Sequence, residues 1–509
     1  VPSWLPPLSV LCAVVVLVPL LYLGIRATEY PAEEFFGTVF SARTARLTLT
    51  SLTLTGAVTA CCAIIGVALA VLVTRTSIPF RRTLAVFAAL PLAVPSYVAA
   101  FGWQAMNGLV SPGTSFEGLA AAVVVMTSVT YPYVYLPAVA ALMSVDPAQE
   151  EAARSLGRGP AQTLFSVTMR QVTPAITAGS LLCAIYVIAD FGAPAILRVD
   201  TFTRAIFTSF SMGFDRLGGI ALSSILLVLT ALVLVIEGRI RRRSTRYAAL
   251  GSGGATTPIR LELGRWGAPA SGAAWVTVLG CLGVPVAAVS YWSYRGVSTP
   301  GSLEEVGSAF VGSLWVAALA AAATTVLAVP LALYLARRPS LIARGLERAA
   351  YFAHSLPGVV VGLSMVMLGI SAVPALYQTI PMLIVAYCSL MLPLAMGPAL
   401  ASALNSPPEL EEAAQSLGSS SGLAYLRVTL PMMAPGIGAG ALMVMLTVIK
   451  ELPATLMLRP TGFDTLATRL WTYTGNESFA AAAPFAVLLI LLAAIPTGII
   501  ISKLLKEVR

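Results

Sequence analysis

The feature that most constrains this 509-residue chain is a series of about twelve long apolar stretches, each able to cross a lipid bilayer. A hydrocarbon core ~30 Å thick needs ~20 apolar residues at the helical rise of 1.5 Å. The stretches lie near 8–25, 47–73, 83–106, 118–143, 177–197, 218–238, 272–291, 307–335, 349–371, 377–402, 438–458 and 481–504. They lack the strict ten-residue alternation of barrel strands and read as helices. The expected fold is therefore an all-α polytopic membrane protein. Charged residues make up only 10% of the chain, against ~25% in an ordinary soluble protein. No basic segment precedes the first stretch, so it is read as a retained span and not as a signal peptide.

Charge sets the expected topology. If the segments around 75–82, 150–170, 239–265, 337–348, 405–427 and the C-terminal end face the cytoplasm, they hold 21 of the 31 Lys and Arg residues. That bias follows the positive-inside rule, places both termini in the cytoplasm and makes nucleic-acid binding an unnecessary reading of the basic excess. The six cysteines all fall in apolar stretches with no Cys-x-x-Cys pair and read as packing residues. A lone histidine, His354, makes no metal site.

The chain is also a duplication. Glu150-Glu-Ala-Ala-Arg-Ser-Leu-Gly157 recurs as Glu411-Glu-Ala-Ala-Gln-Ser-Leu-Gly418, seven of eight residues being identical at an offset of 261. The same offset joins Pro147 to Pro408, Pro174 to Pro435, Ile176 to Ile437 and Arg198 to Arg459. The expected organisation is a first half over 1–238, a cytoplasmic linker over 239–268 and a second half over 269–509, with six spans per half. An even number of spans gives both halves the same orientation, related by an axis along the membrane normal. Arg241-Arg-Arg243 and Gly251-Ser-Gly-Gly254 suit a flexible linker.

Each octapeptide lies in a polar loop, near 144–176 and 405–437, between the fourth and fifth spans of its half. Asp146 as cap, Pro147 at the first position and Gly157 as left-handed terminator spell a short helix. Ser406, Pro407 and Gly418 are expected to play the same parts in the second copy. A second amphipathic piece follows, such as Ala161–Met169. A short helix held at the membrane face, with glutamate in its first turn and paired alanines, can dock in a partner's groove.

This pattern of Glu-Ala-Ala, three residues, Gly and a hydrophobic segment ending near Leu-Pro resembles the EAA loop of ABC importer permeases. The resemblance covers essentially the whole chain. It implies the type I importer permease fold and a coupling helix docked on a separate ATPase. The positions it marks as the ATPase contact are Glu151, Ala152, Ala153 and Gly157, with Glu412, Ala413, Ala414 and Gly418. The second copy keeps Leu430-Pro431 where the first has Met169-Arg170, a departure from symmetry.

Charges inside spans are expensive and point to a pathway. Asp190 lies in the fifth stretch and Glu451 falls at the equivalent position of the eleventh. Lys450 precedes Glu451; Arg198, Asp200 and Arg204 follow Asp190, with Arg459, Asp464 and Arg469 as rough counterparts. Two readings stay open: the charges line the translocation pathway, with transient metal contact at Asp190 and Glu451, or they pair to hold an outer gate shut. The segments 189–204 and 450–464 resemble those of fused ferric-iron importer permeases. Hard Fe³⁺ suits carboxylate oxygen, which is equally compatible with thiamine or a polyamine; oxyanion importers are further alternatives.

The resemblance implies alternating access driven by two ATPase subunits that carry the ATP and Mg²⁺, with an extracytoplasmic binding protein delivering substrate. No Gly-x-x-x-x-Gly-Lys-Ser/Thr occurs in the chain, so it is not expected to be an enzyme or to hold a cofactor of its own. An ion-gradient-driven secondary transporter and a channel are the rival classes; both leave the duplicated Glu-Ala-Ala helices without a role. The expected location is the bacterial inner membrane.

Overall fold

The computed structural model describes residues 4–211, 215–248, 261–296, 302–338 and 340–504. Among them the only extended pairing is an isolated parallel bridge between Thr76 and Leu261; the regular elements are helical. Ten helices are long and apolar enough to span a membrane, and two further pairs qualify as broken spans.

Those two pairs differ from the sequence expectation. The stretches near 83–106 and 349–371, read as single spans, fold as Arg81–Ala93 with Ser96–Val110, bent by 100°, and Leu341–His354 with Gly358–Ser371, bent by 99°. Pro95 and Pro357 sit at the corners with extended ψ of 143° and 137°. Proline supplies no N–H to the preceding turn and pushes the residue before it out of the helical region, so each chain turns there and starts a new helix.

The helices gather into two compact units, and each unit draws on both halves of the sequence. One comprises residues 1–41, 205–227 and 300–472. In it the first helix, Leu5–Thr28, packs against Ser302–Arg337 and Ile380–Leu404. The other comprises residues 42–204, 228–299 and 473–509. There Val284–Gly296 packs against Ser96–Val110 and the last helix, Phe479–Leu504.

Of the expected linker, Gly251-Ser-Gly-Gly254 lies outside the described residues. Arg241-Arg-Arg243, read as part of a flexible connection, instead continues the helix Arg216–Ala248. Arginine is a good helix former and no proline interrupts the run, so the helix propagates past the apolar stretch.

Close helix packing recurs at the repeat offset. A Cβ on Gly179 would lie 2.6 Å from the Tyr133 carbonyl oxygen, and one on Gly440 would lie 2.8 Å from that of Ala395. Small residues at such crossings let backbones approach without lipid between them. Gly179→Val or Gly440→Val should therefore destabilise the protein by about 1–3 kcal/mol, the usual cost of overpacking, read as a lower melting temperature in detergent.

Candidate coupling and pathway sites

The first octapeptide forms the helix Pro147–Ser155. Asp146 occupies the cap position and its carboxylate accepts from the Ala148 N–H at 3.0 Å, with Pro147 next in the chain. Gly157 takes φ +85°, the Gly157 N–H donates to the Arg154 carbonyl at 2.9 Å and the Arg158 N–H to that of Ala153 at 3.2 Å. This double closure is the Schellman termination that glycine permits.

The second helix, Pro408–Ser416, ends the same way, with Gly418 at φ +90° and N–H bonds from Gly418 to Gln415 and from Ser419 to Ala414. Its start corrects the sequence reading. Pro407, and not Ser406, holds the cap position, and Pro408 follows. At the repeat offset Asp146 aligns with Pro407, so no side chain caps this helix; the Ser406 hydroxyl is buried and donates to Met432 Sδ at 3.5 Å.

The two glutamates of each motif part company. Glu150 is buried and pairs with Arg75 at 2.8 Å, while its other oxygen accepts from the Thr168 hydroxyl at 2.5 Å. Arg75 also donates to the Leu142 carbonyl at 2.7 Å. In the second half Arg337 pairs with Glu411 at 2.5 Å and donates to the Ala403 carbonyl at 3.2 Å, and the Thr429 hydroxyl donates to Glu411 at 2.8 Å. Sequence reasoning missed these residues; arginines closing two spans near the repeat offset were the available signal.

Glu151, Ala152 and Gly157 are exposed, as are Glu412, Ala413 and Gly418. Ala153 is buried and Ala414 half-buried, so these two do not share the open face with the other marked positions. The same two segments also expose large apolar side chains. Leu156 is 83% exposed and Leu417 88%, and on the following turn Phe165 is 74% exposed and Leu426 63%. Each pair stands at the repeat offset, so both halves display large apolar side chains beside their Glu-Ala-Ala helix.

From each loop a long helix leads into the membrane. It passes through a π-helical turn, Leu164–Thr168 or Tyr425–Thr429, into Met169–Ala189 or Leu430–Ile449. The Met169-Arg170 and Leu430-Pro431 pairs open the α-helical part at the same register, so that sequence departure leaves the backbone symmetric.

Asp190 and Glu451 stand where these helices end, one residue before the cap positions Phe191 and Leu452, and both accept from N–H groups in the first turn of the next helix. Asp190 accepts from the Ser96 hydroxyl at 2.6 Å and from the Ala193 N–H at 3.1 Å, at the start of the short helix Gly192–Ile196. Glu451 accepts from the N–H groups of Ala454 and Thr455 at 3.1 and 3.0 Å and from the Thr455 hydroxyl at 2.7 Å, at the start of Pro453–Leu458. Both carboxylates and Lys450 are half-buried.

The remaining charges differ between halves. Arg198, at φ +57°, reaches Glu117 and Glu477 at 3.3 and 3.6 Å from a largely exposed position, and Asp200 pairs with Arg204 at 2.6 Å. Arg459 pairs with Asp464, which also meets Arg469 at 2.9 Å; Arg469 in turn meets Glu305 at 2.9 Å. Among the described residues no group of three or more His, Cys, Asp or Glu is arranged to hold a metal ion.

Residues 62–246 and 328–505 each match the family described as the binding-protein-dependent transport system inner membrane component. The chain is similar to the Fe(3+)-transport system permease protein FbpB 2 of Haemophilus influenzae, 32% identical over 97% of both chains. It is also similar to the molybdenum transport system permease protein ModB of Mycobacterium tuberculosis, 28% identical over 47% of this chain and 94% of that one. A probable sulfate transport system permease of Helicosporidium is 25% identical over 34% of this chain and 69% of the relative. Two family matches, the paired Glu-Ala-Ala helices and ten to twelve spans among the described residues agree: the chain belongs to the inner membrane permease components of binding-protein-dependent transport systems, with two such modules in one polypeptide.

Proposed function

We propose that this chain is the permease of an ATP-driven ferric-iron importer. A binding protein delivers iron at the outer face, and two separate ATPase subunits, carrying ATP and Mg²⁺, dock on the two Glu-Ala-Ala helices. The iron assignment is supported by the full-length likeness to an Fe(3+)-transport permease, whereas the molybdenum and sulfate relatives align with less than half of the chain. The resemblance of 189–204 and 450–464 to ferric-iron permeases points the same way.

The observation that supports ATPase docking is the duplicated open face. Leucine exposed on a polar loop forgoes ~1.5–3 kcal/mol of burial, and two symmetric instances are explained by a partner that covers them. Glu151 and Glu412 are exposed on the same short helices. Glu150 and Glu411 are spent internally on arginine and have no outward role.

Glu151→Arg combined with Glu412→Arg should release the ATPase on co-purification while leaving the melting temperature of the permease unchanged. Glu150→Ala should do the reverse first: it strands the Arg75 charge and lowers fold stability by about 3–5 kcal/mol. If the outward pair proved silent for ATPase recovery and for transport-linked ATP hydrolysis, the docking assignment would fall.

Substrate is decided by ⁵⁵Fe uptake in cells with and without the chain, with labelled thiamine, molybdate and sulfate as parallel arms. Loss of iron uptake alone is expected. Loss in another arm reassigns the cargo, and ion-driven uptake by the chain without any ATPase would favour a secondary transporter.

A further inference from the structure

We infer that a carboxylate fastened at each end of the fifth span of each half makes that span the link that joins the coupling helix to the corner of the broken span. Asp190 and Glu451 are positioning residues of this device and not ligands of the cargo. The inference rests on the docking reading for the motion that enters this link, but the fasteners stand on their own geometry.

At the near end, Thr168 and Thr429 close the π-helical turns and donate to Glu150 and Glu411 of the coupling helices. Such turns place a side chain off the regular helical register and often mark functional positions. At the far end, 22 residues on in both copies, stand Asp190 and Glu451. Twenty-two helical residues span ~33 Å, about the thickness of the hydrocarbon core. A displacement of the coupling helix is thus carried across the membrane by one helix, which contains Pro174 or Pro435 in its second turn and has a hydrogen bond to a carboxylate at both ends.

The far ends are built differently yet fill the same space. In the first half the short Asp190 is met by Ser96, the first residue past the Pro95 corner. In the second half the first residue past the Pro357 corner is Gly358, and the carboxylate is one methylene longer. A Cβ on Gly358 would lie 2.6 Å from Glu451 Oε1 and 3.0 Å from Pro453 Cγ, so the carboxylate, with the Pro453 ring beside it, occupies the room that a serine side chain would need. Serine with aspartate and glycine with glutamate are two solutions to one fit. A substrate ligand has no reason to be matched to the residue at the corner.

The geometry also separates charge from shape. Asparagine at 190 keeps both bonds, its carbonyl accepting from the Ala193 N–H and its amide donating to a rotated Ser96 hydroxyl. It lacks only the negative charge that a cation would require.

The test uses the permease alone for the fasteners and the full complex in proteoliposomes for transmission. By hydrogen exchange on the purified permease, Asp190→Ala should speed exchange of the Ala193 amide by at least ~10-fold, the scale of losing a hydrogen bond to a charged group, and Asp190→Asn should not. In the complex, Asp190→Ala and the near-isosteric pair Thr168→Val with Thr429→Val should keep the ATPase bound and hydrolysing while the ATP consumed per ferric ion rises several-fold. Glu451→Asp should show the same defect, and adding Gly358→Ser should restore uptake to within about twofold by rebuilding the first-half corner. The inference is overturned if Asp190→Asn stops uptake as completely as Asp190→Ala, if the exchange rates do not move, or if Gly358→Ser fails to rescue Glu451→Asp. Failure of the unmodified complex to hold an ATPase would sink the docking reading instead, with the exchange measurements still deciding the fasteners.

Discussion

A guanidinium withdrawn from water has to meet a carboxylate, and this requirement organises the foot of each half. Removing either partner of such a pair leaves a stranded charge whose cost rivals the net stability of a domain. Arg75 closes the second span, and its bonds to Glu150 and to the Leu142 carbonyl tie together that span, the end of the fourth and the coupling helix. Through Thr168 the same carboxylate takes hold of the fifth. A nine-residue helix has little stability by itself. It persists here because its end is closed by glycine, its first turn is fixed by proline and one glutamate is anchored in a buried ion pair.

Much of this was legible before any coordinates. Long apolar runs marked the spans because a bilayer demands a fixed length of apolar helix, and the repeated octapeptide marked the two short Glu-Ala-Ala helices because their starts and terminators are local. The corners were half legible. Pro95 and Pro357 announce an interruption, but the bend of about 100° depends on what each new helix packs against. Which glutamate of the pair turns inward was not legible at all. Adjacent helical residues point ~100° apart, and the choice between Glu150 and Glu151 is made by an arginine 75 positions earlier. Asp190 and Glu451 were conspicuous as charges in apolar stretches, yet their bonds to the next helix depend on where the helices stop, a boundary that hydropathy does not mark.

Comparison of the two halves separates what the architecture requires from what it tolerates. The buried foot is reproduced residue for residue: arginine, glutamate, threonine and a backbone carbonyl in both copies. The far corner is reproduced in geometry but not in residue type, because Ser96 with Asp190 and Gly358 with Glu451 satisfy the same demand for a carboxylate that accepts first-turn N–H groups beside a bend. Beyond the corner even the scheme diverges. Arg198 reaches two glutamates from an exposed position, whereas Arg459, Asp464, Arg469 and Glu305 form a linked network. In the first half Arg198 is largely exposed, and an exposed ion pair contributes only ~0–1 kcal/mol and can be rebuilt or lost, whereas a buried charge cannot be left without a partner. The two modules are therefore most alike where the backbone and buried charge leave no choice. Within each half they differ most at the charges that follow Asp190 and Glu451.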